Sequence, residues 1–324
     1  MNEASKDLRK RVLDIIQSGF PIDHDPYGVL ADQLGATRAE TLKTVASLRD
    51  DGIVRRIGAS FSSHRLGYSS TLCALAASGS EQEIDRIASL VSERAEVTHN
   101  YLRAGTFNIW FTVIASQMAD IECVVDEIQR ETGCEVLNLP ARNIFKIRVD
   151  FSESPEAELE HGDESIAPFD AGNPFDIAAL KAVQGDIGDA AFPFEGLGLD
   201  EERLLTRLHE WKANGTMRRF GAFVRHQKMG FAFNGMSVWD VPHEDCARIG
   251  RCFATLPFVS HCYERPRNEA WPYNLYAMVH GKTEEELEAH LALMRESSGL
   301  DCEVLVSLKE YKKTSPVYFE REDA

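Results

Sequence analysis

Arg55-Arg56-Ile57-Gly58-Ala59 recurs in this chain as Arg218-Arg219-Phe220-Gly221-Ala222, and that recurrence decides the fold. Self-similarity at a long spacing marks repeated structural units, and further matches flank it on the C-terminal side. Gly67-Tyr68 recurs as Gly230-Phe231. His99-Asn100-Tyr101-Leu102-Arg103 recurs as His261-Cys262-Tyr263-Glu264-Arg265. Asn108-Ile109-Trp110 recurs as Asn274-Leu275-Tyr276, and Cys134-Glu135-Val136-Leu137 as Cys302-Glu303-Val304-Leu305. Five matched segments in one order make a tandem duplication. The second copy is about four residues longer between its His and Asn segments.

Each copy reads alike. Leu8–Ser18 carries Val12, Ile15 and Ile16 at helical spacing, and Pro26–Leu34 is a short second helix. Thr37 followed by Glu40 predicts a capping box, and the third helix runs to about Asp51 before Gly52. Ile53–Ser60 alternates as a strand or wing, and the double arginine reads as a turn within a hairpin. Three short helices and a hairpin make a winged helix-turn-helix. Then follow a strand (Tyr68–Ala77), a helix (Glu81–Arg94), strands at Val97–Arg103 and Phe107–Ala115, a helix (Gln117–Glu131) and a strand near Glu135–Leu139. That βαββαβ order is ferredoxin-like. The second copy predicts helices at Ile177–Gln184 and Asp200–Asn214, with strands near Ala232–Asp240, Val259–Arg265, Tyr273–His280 and Cys302–Leu308. The fold class is α+β. The domains are 1–62 and 174–226 (winged helix-turn-helix), and 63–151 and 227–324 (ferredoxin-like). Residues 152–173, acidic and without Lys or Arg, read as a solvated linker.

The 324 residues are 44% apolar and 27% charged, enough for two ordinary cores. No apolar run approaches the roughly 20 residues of a membrane span, and the polar N-terminus has no secretory h-region. A cytoplasmic protein with no membrane association is expected. The seven cysteines are odd in number and form no Cys-x-x-Cys, so they are expected to be reduced and structural.

A helix-turn-helix suggests DNA, but the charges oppose it. Thr37–Asp51 sets Arg38, Lys43 and Arg49 against Glu40, Asp50 and Asp51, and the matching helix is net acidic. The whole chain carries a net charge of -17. A groove-reading helix needs cations to replace condensed counterions, so no nucleic-acid partner is expected.

Other motifs suit an anionic ligand. Arginine forks hold carboxylates through paired hydrogen bonds, so Arg55, Arg56, Arg218 and Arg219 are candidate carboxylate holders. Residues two apart share a strand face, which groups His99, Tyr101 and Arg103, and likewise His261, Tyr263 and Arg265. Asn108 and Trp110, and Asn274 and Tyr276, fall on the neighbouring strand. A merely wet sheet face gives no reason for such matching. Aromatic rings would cover a flat ligand, arginine would hold its carboxylates, and histidine would move a proton or ligate a metal. The longer loop of the second copy contains Trp271-Pro272. His24, His64, His226 and His243 stand singly in polar contexts and read as solvated. No nucleotide-binding, serine-hydrolase or zinc-protease motif occurs.

With these residues in view, the chain resembles the Lrp/AsnC architecture and, in its finer motifs, the sirohaem decarboxylases. The segments that carry the resemblance include Gln17-Ser18-Gly19-Phe20-Pro21, Arg55–Ala59, Thr98–Arg103, Phe107–Thr112, Met217–Ala222, Ser260–Arg265 and Trp271–Tyr276. It covers nearly everything outside the linker. In that family two homologous subunits commonly pair, and this chain looks like both in one.

The resemblance implies removal of the C12 and C18 acetate carboxyls of sirohaem as CO2, giving 12,18-didecarboxysirohaem for haem d1 or alternative haem biosynthesis. It implies no organic cofactor and no metal beyond the substrate's iron. His261 and His99 are the expected proton donors or ligands of that iron. Arg265, Arg103, Arg218, Arg219, Arg55 and Arg56 would hold carboxylates. Tyr263, Tyr101, Trp110, Tyr276, Trp271, Asn274 and Asn108 would line the plane. A pseudo-dimer within one chain is expected, with further self-association left open. The rival readings are an Lrp/AsnC-type DNA-binding regulator that senses a tetrapyrrole and a non-catalytic sirohaem carrier.

Overall fold

The computed structural model describes residues 3–147, 165–224 and 233–319. His226, the Gly230-Phe231 match and linker residues 152–164 lie outside the described residues. The first copy runs α1 (Glu3–Ser18), α2 (Pro26–Leu34), α3 (Arg38–Asp50), β1 (Val54–Phe61), β2 (Ser69–Leu75), α4 (Glu81–Ser92), β3 (Val97–Arg103), β4 (Ile109–Ala115), α5 (Met118–Thr132), β5 (Val136–Pro140) and β6 (Asn143–Ile147). The second runs α6 (Pro174–Gln184), α7 (Glu201–Ala213), β7 (Met217–Val224), β8 (Phe233–Trp239), α8 (His243–Thr255), β9 (Val259–Glu264), β10 (Leu275–Gly281), α9 (Glu284–Ser298) and β11 (Cys302–Lys313).

Local chemistry sets the helix starts. The Thr37 hydroxyl accepts from the Glu40 amide at 3.2 Å, and the Glu40 carboxylate accepts from the Thr37 amide at 2.9 Å. This is the capping box that the sequence predicts, and it satisfies two otherwise orphaned donors. In the second copy a short 3₁₀ turn, Glu195–Leu197, stands where the first has α2. Phe192-Pro193 and the Gly196/Gly198 pair supply too little helix propensity for more.

The wing departs from expectation. The double arginines lie inside strands, and β1 does not fold back as a hairpin. It pairs antiparallel with β7 of the other copy, Ile57 opposite Ala222 and Gly58 opposite Gly221. α1 packs on β7 and α6 on β1, so each first helix crosses to the other copy's strand. One shared core results, with Val12, Ile16 and Leu48 of the first copy against Leu180, Leu208 and Trp211 of the second. Each such fully buried side chain contributes about 1.5–3 kcal/mol. The linker also departs from expectation at its end. Phe169 is buried in this core, with its ring 5.7 Å from Trp211 and 5.3 Å from Phe319.

The ferredoxin-like halves join into one sheet, ordered β5-β2-β4-β3-β11-β8-β10-β9-β6. Each half alone has the order 4-1-3-2 of its own strands. Each last strand then runs on into the other half: β11 pairs first with β8 and then with β3, while β6, continuing from β5, pairs with β9. Because β5 and β6 are separated by only residues 141 and 142, the row of strands closes on itself. The sequence missed β6 and the second half of β11. The outer faces pack under α4 and α5, and under α8 and α9. Trp110, Leu137, Met236, Tyr276 and Leu305 from both halves meet inside. Among the described residues no helix is long and apolar enough to cross a membrane, and the seven cysteines are free thiols.

Candidate active site

β3 and β9 carry the candidate histidines, and both strands contain a bulge just before them. The register slips between Val97 and His99 against β4, and opposite Met278 and Val279 on β9. Thr98 and Ser260 are the extra residues. A bulge breaks strict alternation and re-aims a side chain, a device common beside active sites. Here it places a hydroxyl against each imidazole: Thr98 Oγ1 is 3.0 Å from His99 Nδ1, and Ser260 Oγ is 2.8 Å from His261 Nδ1. With Nδ1 tied back in each ring, Nε2 is the nitrogen left to meet a ligand.

Both histidines point to the inner side of the closed sheet, as their neighbours show. Tyr101 lies opposite Trp110, His261 opposite Met278, and Tyr263 opposite Tyr276. Each imidazole lies beside the tyrosine two residues on, at 6.3 Å for His99–Tyr101 and 6.2 Å for His261–Tyr263. The four rings are half-buried. Burial pulls His99 down to about 4, with help from the charge of Lys313. It pulls His261 down to about 4 as well, assisted by Arg218, His99 and Arg265. Burial pushes the Tyr101 and Tyr263 hydroxyls up. The charge of His99 is among the influences that lower His261, so matching histidines of the two copies lie near one another.

The arginines divide into three kinds. Arg56 and Arg219 are structural, contrary to the sequence expectation. Arg56 donates to Gly185 O at 3.1 Å and stacks 3.5 Å over Phe223. Arg219 donates to Gln17 O and, at 3.0 Å, to Ala222 O. Each thus caps the end of the other copy's first helix, where orphan carbonyls and the helix dipole favour a cation. The glycine two residues on permits the approach. A Cβ on Gly58 would lie 2.1 Å from Gly185 O, and one on Gly221 would lie 2.7 Å from Ile16 O. Arg103 and Arg265 also bridge the copies, donating to Leu305 O at 2.9 Å and to Leu139 O. Burial pulls Arg103 down to about 10 and lowers Arg265 too. Both guanidiniums lie over tyrosines of the histidine strands, Arg103 at 5.2 Å from Tyr101 and Arg265 at 4.8 Å from Tyr263. Arg55 and Arg218 alone are exposed, and Arg218 acts electrostatically on both His261 and Tyr263.

Other expected ligand contacts are occupied by the fold. Asn108 exchanges two 2.9 Å bonds with the backbone of Ala77, and Asn274 exchanges the matching pair, at 2.9 and 3.0 Å, with Val241. Matching asparagines thus hold matching strand-to-helix turns. Trp110, Tyr276 and Trp271 pack on one another in the dry interior: Trp271 donates to the Tyr276 hydroxyl at 2.8 Å and its ring is 5.4 Å from Trp110. The longer loop of the second copy therefore plugs the sheet interior. A cavity of about 180 Å³ beside Arg142, Glu264, Arg265 and Arg267 is smaller than the usual about 300–1,000 Å³ of a small-molecule site.

The α3 face is also committed. Arg49 pairs with Asp186 at 2.7 Å and Asp189 at 2.8 Å, and Arg38 with Asp25 at 2.9 Å. Two of the three cations on the would-be recognition helix are thus paired with the protein's own carboxylates.

Sequence reasoning overlooked Thr98, Ser260 and His280. A hydroxyl residue before each histidine was a readable signal. His280 was not, because Ile114 holds its place in the first copy.

Comparison with known proteins completes the picture. The family described as AsnC-like ligand binding domain matches residues 65–146 and 228–312, and that described as siroheme decarboxylase NirDL-like HTH domain matches 9–55. A siroheme decarboxylase of Hydrogenobacter thermophilus is 34% identical, over 96% of this chain and 95% of its own. A siroheme decarboxylase alpha subunit of Oleidesulfovibrio alaskensis is 46% identical, over 46% of this chain and 91% of its own. The crystal structure of the siroheme decarboxylase NirDL in co-complex with an iron-uroporphyrin III analogue superposes with a TM-score of 0.69 at 30% identity, covering 95% of this chain and 93% of that one. The helix-turn-helix and AsnC-like domains, the duplication and the near full-length identity agree: this chain belongs to the siroheme decarboxylase family.

Proposed function

We propose that this chain is a carboxy-lyase acting on sirohaem, releasing the C12 and C18 acetate carboxyls as CO2 to give 12,18-didecarboxysirohaem. The observation that carries the reading is the pair His99 and His261, matching residues of the two copies, each with its Nδ1 tied to a hydroxyl. The solved relative in co-complex with an iron-uroporphyrin III analogue supports a macrocycle as the ligand. Each turnover converts a ring-CH2–COO⁻ and a proton into a ring-CH3 and CO2. The conjugated macrocycle accepts the electron pair of the breaking C–C bond, so the step draws on no organic cofactor. The protein supplies the proton and the carboxylate contacts. His261 and His99 are the groups able to face the macrocycle with Nε2, as proton donors or iron ligands. Arg218 and Arg55 are the exposed guanidiniums available to its carboxylates.

The product serves haem d1 or alternative haem synthesis, in the cytoplasm, and the fused chain favours haem d1. DNA binding is disfavoured by the ion pairs of Arg38 and Arg49. The test is anaerobic incubation with sirohaem followed by mass spectrometry. Two successive losses of CO2 are expected; sirohaem bound and recovered unchanged would make the protein a carrier.

A further inference from the structure

The two histidines differ in what stands behind them. Ser260 Oγ lies 2.8 Å from His261 Nδ1 and 2.7 Å from His280 Nε2, a hydrogen-bonded chain of three side chains. Ser260 is buried, while His280 on β10 is half-buried and reaches solvent. In the first copy the chain stops at Thr98: six residues beyond Asn108, where the second copy has His280 six beyond Asn274, stands Ile114. Ile114 packs against the helix-turn-helix core and can carry no proton.

We propose that His280 feeds protons through the Ser260 hydroxyl to His261, and that His261 is thereby the acid that protonates the decarboxylated carbon. The proposal rests on the decarboxylase reading. The hydrogen bonds order themselves consistently: His280 Nε2–H donates to Ser260 Oγ, Ser260 O–H donates to His261 Nδ1, and His261 Nε2–H is left for the substrate. As the C–C bond breaks, the electron pair passes into the macrocycle and CO2 departs. The Nε2 proton of His261 then forms the new C–H bond. Nδ1 takes the serine proton, and the serine takes the proton of His280, which recovers one from solvent. One proton is consumed for each CO2 released. A relay answers a need of the site, since burial keeps His261 neutral at neutral pH and an isolated neutral imidazole is a poor acid.

The experiment measures single-turnover CO2 release from sirohaem in water and in D2O for Ser260→Ala, Ser260→Thr, His280→Ile and the Ser260→Ala/His280→Ile double variant, with sirohaem binding followed by absorbance. Removing a proton donor typically costs about 10²–10⁴-fold. Each of S260A and H280I is expected to slow release by at least about 10²-fold with unchanged sirohaem affinity. The double variant should be no slower than either single one, because both break one chain. S260T, which installs the hydroxyl of the first copy, should restore most of the rate. The solvent isotope effect of the native protein should involve more than one proton and shrink in H280I. Native rates in H280I, additive losses in the double variant, or a loss explained by weaker sirohaem binding would overturn the relay. If the native protein binds sirohaem and releases no CO2, the decarboxylase reading fails by itself. The relay is then judged by ¹⁵N chemical shifts of labelled histidine: the Nε2–H tautomer at His261, lost in S260A and kept in S260T, supports it, and a tautomer indifferent to S260A removes it.

Discussion

At the residue scale, similar residue types take opposite roles according to what surrounds them. Within each double arginine, one residue caps a helix of the other copy and the other stays exposed. Arg219→Ala should therefore lower stability by about 2–3 kcal/mol, the worth of buried charge-assisted bonds, as read from chemical denaturation. Arg218→Ala should change stability by less than about 0.5 kcal/mol and weaken sirohaem binding about tenfold. Equal losses of stability in both variants would refute the division. His261→Ala should abolish CO2 release while the circular dichroism spectrum stays native. Full activity in that variant would remove His261 from the mechanism. The two histidines also bias stability with pH. In the unfolded chain they bind protons near the ordinary 6.5, and in the folded chain near about 4. The unfolded state holds more protons across that window, so stability falls as the pH drops from about 6.5 towards about 4. Melting temperatures recorded across that range should decline, and more shallowly in a His99→Gln/His261→Gln variant.

At the element scale, the bulges and the crossed strands decide what the site can hold. The inserted Thr98 and Ser260 bring a hydroxyl to the imidazole on each strand, which strict alternation would have sent to the opposite face. The β1–β7 ribbon depends on close backbone approach to the first helices and their following turns. Gly58→Ala would drive a methyl group into the carbonyls of Gly185 and Val183, 2.1 and 2.8 Å from the new carbon. Neither atom is the end of a flexible side chain. A loss of about 3 kcal/mol is expected, measured by thermal or urea unfolding. A neutral result would mean that α6 can shift, and that the ribbon is looser than its contacts imply.

At the scale of the whole molecule, three sets of strand pairs join the copies: β1 with β7, β3 with β11, and β6 with β9. The helix-turn-helix core is also shared rather than doubled. Neither copy closes its own sheet. A chain cleaved between residues 152 and 164 should therefore remain a one-to-one pair in size-exclusion chromatography and keep its activity. Separation of the fragments in native buffer would contradict the cross-copy pairing. The candidate site follows the same plan, since one histidine comes from each copy.

The sequence by itself determined the duplication, most helices, the Thr37 capping box, most strand positions and the family. These follow from local rules: helical and strand periodicity, capping chemistry, and motifs repeated at matching places. The tertiary structure decided how the matching residues were used. Asn108, Asn274, Arg56 and Arg219 repeat because both copies need the same backbone contacts, so repetition alone did not separate support from chemistry. The wing became a cross-copy ribbon because its partner strand lies more than 150 residues away, a distance no local signal spans. The asymmetry of the two His-x-Tyr-x-Arg repeats could be seen only once Ser260 and His280 were found in contact, because a proton path is a property of adjacent atoms and not of spacing along the chain.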